Sequence, residues 1–170
     1  MSLVCLSLGS NADPHSHLGA CFEALERTFG ELHISRVFES EPVDCESATN
    51  FYNAVVAFES GWSPQALHDW TKAQEAALNR GQPDQPHHPK ALDLDLLSVG
   101  DTCAELKDLT LPRKDITRFA FVLVPLAELL PDERHPRCQT PYRTLLERAR
   151  FSNQRLWPVA FEWRGVAISP

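Results

Sequence analysis

Apolar residues come in short runs along this chain, separated by polar stretches carrying glycine, proline and asparagine. Leu3 to Leu8 is the first run, stopped by Gly9-Ser10-Asn11, and it predicts a strand followed by a turn. The spacing then becomes helical. Leu18, Cys21, Phe22, Leu25 and Phe29 fall on one face, with Asp13 as the expected N-cap, Pro14 in the first turn and Gly30 at the stop. Leu32 to Glu39 predicts a second strand, and the polar, aperiodic segment Pro42 to Asn50 a loop. Phe51 to Glu59, rich in Val and Phe, predicts a third strand with Phe51, Asn53 and Val55 on one face. Ser63-Pro64 repeats the cap-plus-proline signal before Leu67, Trp70, Gln74 and Leu78, a second helix. Trp62 and Trp70 flank that helix and read as packing residues.

Asn79 to Lys90 holds three prolines and one glycine, which excludes a regular element and predicts a mobile lid. Ala91 to Val99 is the fourth predicted strand. Phe119 to Leu130 is apolar apart from Glu128, with Pro125 expected to limit any helix to two short pieces, and Tyr142 to Phe151 predicts a last helix. The pattern leaves the tail from Asn153 to Pro170 open. Through Val99 the order is β-α-β-β-α-β, the split pattern of an α+β ferredoxin-like sandwich. Its antiparallel sheet, with helices packed on one face, leaves the other face for ligands, and extra C-terminal elements follow.

With 170 residues and 43% hydrophobic content, the chain suits a single domain with its own core. A formal charge of −7 and a pI near 5.4 argue against nucleic acid or an anionic membrane as partner. A polyanion such as ATP then needs a local positive site. The five cysteines are widely spaced without a C-x-x-C pair, so reduced thiols are expected rather than a disulfide framework or a zinc site. No basic, apolar leader opens the chain and no run of about 18 apolar residues occurs, so a cytoplasmic protein is expected.

Leu92-Asp93-Leu94-Asp95-Leu96 carries the most chemistry. Strand alternation puts Asp93 and Asp95 on one face, Cα atoms about 6.5 Å apart, and the three leucines on the other. Carboxylates this close repel, and one pKa rises unless a cation lies between them. Oxygen-only ligands suit Mg²⁺, which takes one or two carboxylates plus substrate phosphates. The alternative is an edge strand wearing acids on its wet face against aggregation. His87-His88 in the proline-rich loop, and His15 and His17 in the first helical turn, read as surface residues. Gly9-Ser10-Asn11 lacks the lysine and spacing of a P-loop and reads as a turn shaping the pocket floor.

Further pieces make the chain recognisable: Leu8-Gly9-Ser10-Asn11, Phe51-Tyr52-Asn53-Ala54-Val55-Val56, Glu75 followed by Arg80, Pro89-Lys90-Ala91 leading into the aspartate strand, and Phe121-Val122-Leu123-Val124-Pro125-Leu126. In order and spacing, from about Leu3 to Pro131, the chain resembles the 6-hydroxymethyl-7,8-dihydropterin pyrophosphokinases of folate biosynthesis. The resemblance implies a ferredoxin-like fold and transfer of pyrophosphate from ATP to the pterin hydroxymethyl, releasing AMP. It implies a monomer that binds pterin and ATP, with two magnesium ions held by Asp93 and Asp95. Ser40, Pro42, Val43, Phe51, Asn53 and Phe121 match the pterin pocket. Glu75, Leu96 and Thr110 match positions near the nucleotide, and Arg80, Lys90 and Asp95 match the catalytic group.

Departures from the family pattern concentrate on the ATP-phosphate side. Gln82 stands where a second arginine is usual, and His87-His88-Pro89-Lys90 replaces an aromatic-Gly-Pro-Arg run. Arg113 stands for a histidine, Phe119 for an arginine and Asp44 for a glycine. A lysine meets phosphate as a point charge without the guanidinium fork. Three readings fit: an active divergent enzyme whose charge comes from Lys90, Arg113, Lys114 and Arg118, an inactive pterin-binding module, or an enzyme using another phosphoryl donor.

Overall fold

Strand β1 (Ser2–Ser10) is buried without interruption from Val4 to Ser10, because protein covers both of its faces and both of its edges. It pairs antiparallel with β4 (Phe51–Ser60) on one side and β5 (Asp93–Val99) on the other. Beyond β4 come β3 (Val37–Ser40) and then β8 (Leu156–Val159), giving the order β5-β1-β4-β3-β8, with β2 (His33–Ile34) also on β4. The computed structural model describes residues 1–43, 49–79 and 90–169. The expected lid between Asn79 and Lys90, with Arg80, Gln82, His87 and His88, therefore lies outside the described residues from 80 to 89, as does Asp44.

Helices α1 (Pro14–Phe29) and α2 (Pro64–Leu78) cover one sheet face. Leu18, Phe22, Leu25 and Leu67 pack there with Val4, Leu6, Leu8, Val56, Leu94 and Leu96, which supplies the main hydrophobic drive to fold. Phe29 meets both Trp62 and Trp70 edge-on, so the two tryptophans are packing residues. This is the expected ferredoxin-like sandwich. The Ser63 hydroxyl accepts from the Ala66 N–H as a cap should. At the first helix, Asp13 instead sits at φ 44° with no side-chain cap bond, and its carbonyl accepts from the His17 N–H.

The opposite face is partly occupied. α3 (Asp115–Arg118), α4 (Ala120–Leu129) and α5 (Tyr142–Arg148) pack Ile116, Val122, Leu123, Leu126 and Tyr142 against Cys5, Val55, Ala57 and Leu97. What they leave uncovered is the cleft described below.

Several expectations are corrected. The second strand is two pieces, because Ser35 breaks it: its hydroxyl accepts from the Val55 N–H, replacing a ladder bond. Pro125 does not divide α4, which runs unbroken through it. The helix loses one N–H donor there, but Val122, Leu123 and Leu126 are buried around the proline and packing outweighs the loss. The last helix stops at Arg148. The tail contributes β8 to the main sheet and a hairpin of β9 (Phe161–Trp163) and β10 (Val166–Ser169). That hairpin packs on α1: Phe161 stacks on His15 at 4.8 Å, and Trp163 donates to Glu23. His15 is thus part of a packing contact rather than only a surface residue. A second hairpin joins β6 (Ala104–Leu106) to β7 (Leu109–Leu111). Among the described residues, Cys5 and Cys21 are buried free thiols and Cys103 and Cys138 exposed ones, and no helix is long and apolar enough to cross a membrane.

Candidate functional site

The Asp pair stands on the last strand of the sheet. Among the described residues β5 has a neighbour on one side only, β1, with Asp93 opposite Gly9 and Asp95 opposite Ser7. Leu92, Leu94 and Leu96 are buried on the far face, so the alternation turns both carboxylates toward the cleft. An unpaired strand edge needs partners for its N–H and C=O groups. Side chains of α2 provide them. Glu75 Oε2 accepts from the Leu94 N–H at 2.7 Å, and Lys72 Nζ donates to the Leu94 carbonyl at 3.2 Å. Asn79, the C-cap residue of α2, donates to the Leu92 carbonyl at 2.8 Å and accepts from the Ala91 N–H at 2.9 Å. The edge is therefore protected by α2, and the acids are not needed for that purpose.

Edge capping also brings Glu75 to the aspartates. Glu75, Asp93 and Asp95 each offer a carboxylate oxygen, all within 4.8 Å of one another. Although Asp93 is exposed at the cleft, desolvation by the surrounding walls, then the charge of Asp95, then Glu75, push its carboxyl up to about 7. Lys72 Nζ lies 3.0 Å from Glu75 Oε1 and 3.2 Å from Asp95 Oδ1, and Arg113 Nη2 lies 3.6 Å from Asp95 Oδ1. Burial opposes the Lys72 charge, but Asp95 and Glu75 outweigh it and raise its pKa above the ordinary lysine value. A hard, oxygen-only donor set with crowded like charges fits a divalent cation such as Mg²⁺.

The other half of the cleft is aromatic. It encloses about 370 Å³ and reaches from Asp93 and Asp95 to Phe51, Asn53, Phe119 and Phe121. Asn53 is buried, and its Nδ2 donates to Ser40 Oγ at 2.8 Å and to the Phe38 carbonyl at 3.3 Å, which fixes its amide. Phe119 stacks on Phe121 with centroids 5.0 Å apart. Pro42 and Val43 line the same pocket, next to Glu41. Glu41 is anchored to the tail: its N–H donates to the Arg155 carbonyl, and its carboxylate pairs with the Arg155 guanidinium at 3.3 Å.

Of the residues singled out from sequence, Ser40, Pro42, Val43, Phe51, Asn53, Phe121, Lys90, Asp93, Asp95 and Arg113 come together in one cleft, with Glu75 at its rim. Four do not join them. The Leu96 side chain is in the core beneath the opposite face. Thr110 donates to Glu105 across the β6–β7 hairpin. Lys114 and Arg118 are exposed and line no part of the cleft, the Arg118 guanidinium lying over the Phe119 ring. Arg80 is outside the described residues. Lys72, Asn79, Asp115 and Phe119 were missed. Asp115 pairs with Arg113 at 3.0 Å and so holds the guanidinium beside Asp95. The helical pattern did not single out Lys72; its i,i+3 spacing to Glu75 was the available signal.

Comparison with known proteins gives one consistent answer. The family model described as 7,8-dihydro-6-hydroxymethylpterin-pyrophosphokinase (HPPK) matches residues 5–131. A 2-amino-4-hydroxy-6-hydroxymethyldihydropteridine pyrophosphokinase of Porphyromonas gingivalis is 39% identical over 147 residues, covering 83% of this chain and 99% of that protein. The enzyme of that name from Pseudomonas aeruginosa is 35% identical over 136 residues, covering 78% and 83%. Among solved structures, wild-type HPPK-DHPS of Plasmodium falciparum superimposes with a TM-score of 0.67 at 14% identity. The match covers 86% of this chain but 40% of that longer protein, and at such identity it supports the fold alone.

Proposed function

The chain belongs to the 7,8-dihydro-6-hydroxymethylpterin-pyrophosphokinase family, and on that premise we propose how its cleft carries out the reaction. The activity is transfer of pyrophosphate from ATP to 6-hydroxymethyl-7,8-dihydropterin in folate synthesis. The pterin hydroxyl oxygen bonds to the β-phosphorus, the bond from that phosphorus to the oxygen bridging the α-phosphate breaks, and AMP leaves. The hydroxyl proton is lost to solvent. The observation that carries the reading is the continuity of an aromatic, amide-floored pocket with a three-carboxylate cluster in one cleft.

In this reading Phe51 and Phe121 border the flat pterin, and the oriented amide of Asn53 hydrogen-bonds its polar edge. Ser40 holds that amide in place, while Pro42 and Val43 close the pocket. Asp93 and Asp95 hold magnesium, two ions in all, with Glu75 beside them. A metal held there would supply positive charge to neutralise and help align the polyphosphate. Arg113 presents positive charge beside Asp95 and Lys90 adds its own from the cleft lining, and Arg80 is assigned a phosphate contact by resemblance alone. The main contribution of the protein is to place hydroxyl and phosphorus together. The whole chain is proposed to act as one domain and as a monomer.

The test is AMP formation from ATP, Mg²⁺ and the hydroxymethyl pterin. AMP should appear only when all three are present. Pterin binding without AMP would mark a binding module instead, and AMP formation that ignores the pterin would reject the substrate.

A further inference from the structure

Lys72 has no part in the reading above, yet its ammonium sits inside the acidic cluster. It contacts a carboxylate oxygen of Glu75 at 3.0 Å, Asp95 Oδ1 at 3.2 Å and the Leu94 carbonyl at 3.2 Å. All three partners accept hydrogen bonds, and an ammonium has three donors, so the set is matched in number. Two of the three partners belong to the proposed metal group. An oxygen held by an ammonium is not available to a divalent ion without rearrangement.

Resting on the proposed metal site, we infer that Lys72 is a placeholder cation. It occupies the carboxylates before metal arrives and passes to the nucleotide phosphates when metal takes Asp95. Three observations support this. The side chain is 41% exposed, so the amine can move toward the open cleft without unpacking the core. Its stem springs from α2, whose register is fixed independently by the Glu75–Leu94 and Asn79–Leu92 bonds, so the helix need not shift. Removing an ammonium from Asp95 while a divalent ion replaces it keeps that carboxylate neutralised at every stage, which spares the cost of bare clustered charge. Lys72 is thus a positioning residue for the metal ligands in the free protein and a phosphate contact in the loaded one.

The two roles predict effects of opposite sign. Direct Mn²⁺ binding to the nucleotide-free protein should tighten about fivefold in Lys72→Gln, because the competing charge is gone. With Mn²⁺ saturating, a non-hydrolysable ATP analogue should bind the same variant about tenfold more weakly. Lys72→Arg keeps the charge and should restore analogue binding to within about threefold of the unmodified protein. Equal Mn²⁺ affinity in Lys72→Gln and the unmodified protein, or unchanged analogue affinity, overturns the inference. In either case loss of Mn²⁺ binding in Asp95→Asn would leave the metal site standing. Absence of Mn²⁺ binding in the unmodified protein would remove both.

Discussion

Asn53 and Asp93 stand on either side of Gly9: each is registered directly opposite it, one from β4 and one from β5. Two strand spacings, roughly 9.6 Å, therefore separate the amide proposed to read the pterin from the carboxylate proposed to meet the metal. On the proposed reading, the reacting hydroxymethyl lies above Gly9. A Cβ there would meet Asn53 Oδ1 at 3.5 Å, Asp93 Cβ at 3.8 Å and Phe51 Cδ1 at 3.9 Å, all ordinary contacts. Gly9→Ala should thus fold normally, whereas Gly9→Val should fill the floor and weaken pterin binding about tenfold. Thermal unfolding and a pterin fluorescence titration check both. Undiminished pterin affinity in Gly9→Val would mean the ligand does not use this floor.

Ser40 should matter through Asn53 alone. Its hydroxyl takes the shortest of the three bonds from Asn53 Nδ2, at 2.8 Å. Ser40→Ala frees the amide to turn and should weaken pterin about fivefold while leaving ATP-analogue affinity unchanged. Parallel titrations of the two ligands separate these; an equal loss for both would point to general damage of the cleft.

Glu75 has a structural duty beyond charge. Glu75→Ala leaves the Leu94 N–H without its acceptor and should cost about 1–3 kcal/mol of stability. Glu75→Gln keeps an acceptor oxygen and should recover most of that. Urea unfolding of both variants decides it, and equal stability losses would show that charge rather than edge capping is what counts.

Proton release should report Asp93. Its carboxyl is raised to about 7 in the metal-free cleft, so near pH 6 it is mostly protonated and near pH 8.5 ionised. Divalent metal needs the ionised form, so binding at pH 6 should expel close to one proton and at pH 8.5 almost none. The same shift makes the metal-free fold lose stability as pH rises from about 4 to 7, since the unfolded carboxyl has already released its proton there and the folded one has not. Asp93→Asn should lack both effects. Calorimetry in buffers of different ionisation heat measures the proton count, and a count independent of pH would exclude Asp93 as its source.

The aspartate strand was legible because two acids in a leucine run have one reading on a period of two: acids to one side, core to the other. Asn53 and Phe51 were legible on the same ground. The tail was not. β8 pairs Leu156 with Ser40, and nothing local to Leu156 announces a partner more than a hundred residues earlier. Lys72 and Asn79 escaped for a related reason, since their work is to satisfy an edge, and which strand is the edge becomes known only once the sheet order is. Lys114 and Arg118 show the reverse error. Positive residues near the site in sequence were counted as charge in the cleft, yet Lys114 and Arg118 at the two ends of the short helix α3 are exposed, and the next residue, Phe119, lines the cleft instead.

Most direct of all is the magnesium-dependent rate of AMP formation in Asp95→Asn beside the unmodified protein, with folding confirmed in each. A loss of about a thousandfold or more is expected, because in the proposed site this carboxylate would hold the ion that aligns the triphosphate. A rate within a few-fold of the original would refute the assignment of this strand as the metal-bearing wall of the cleft.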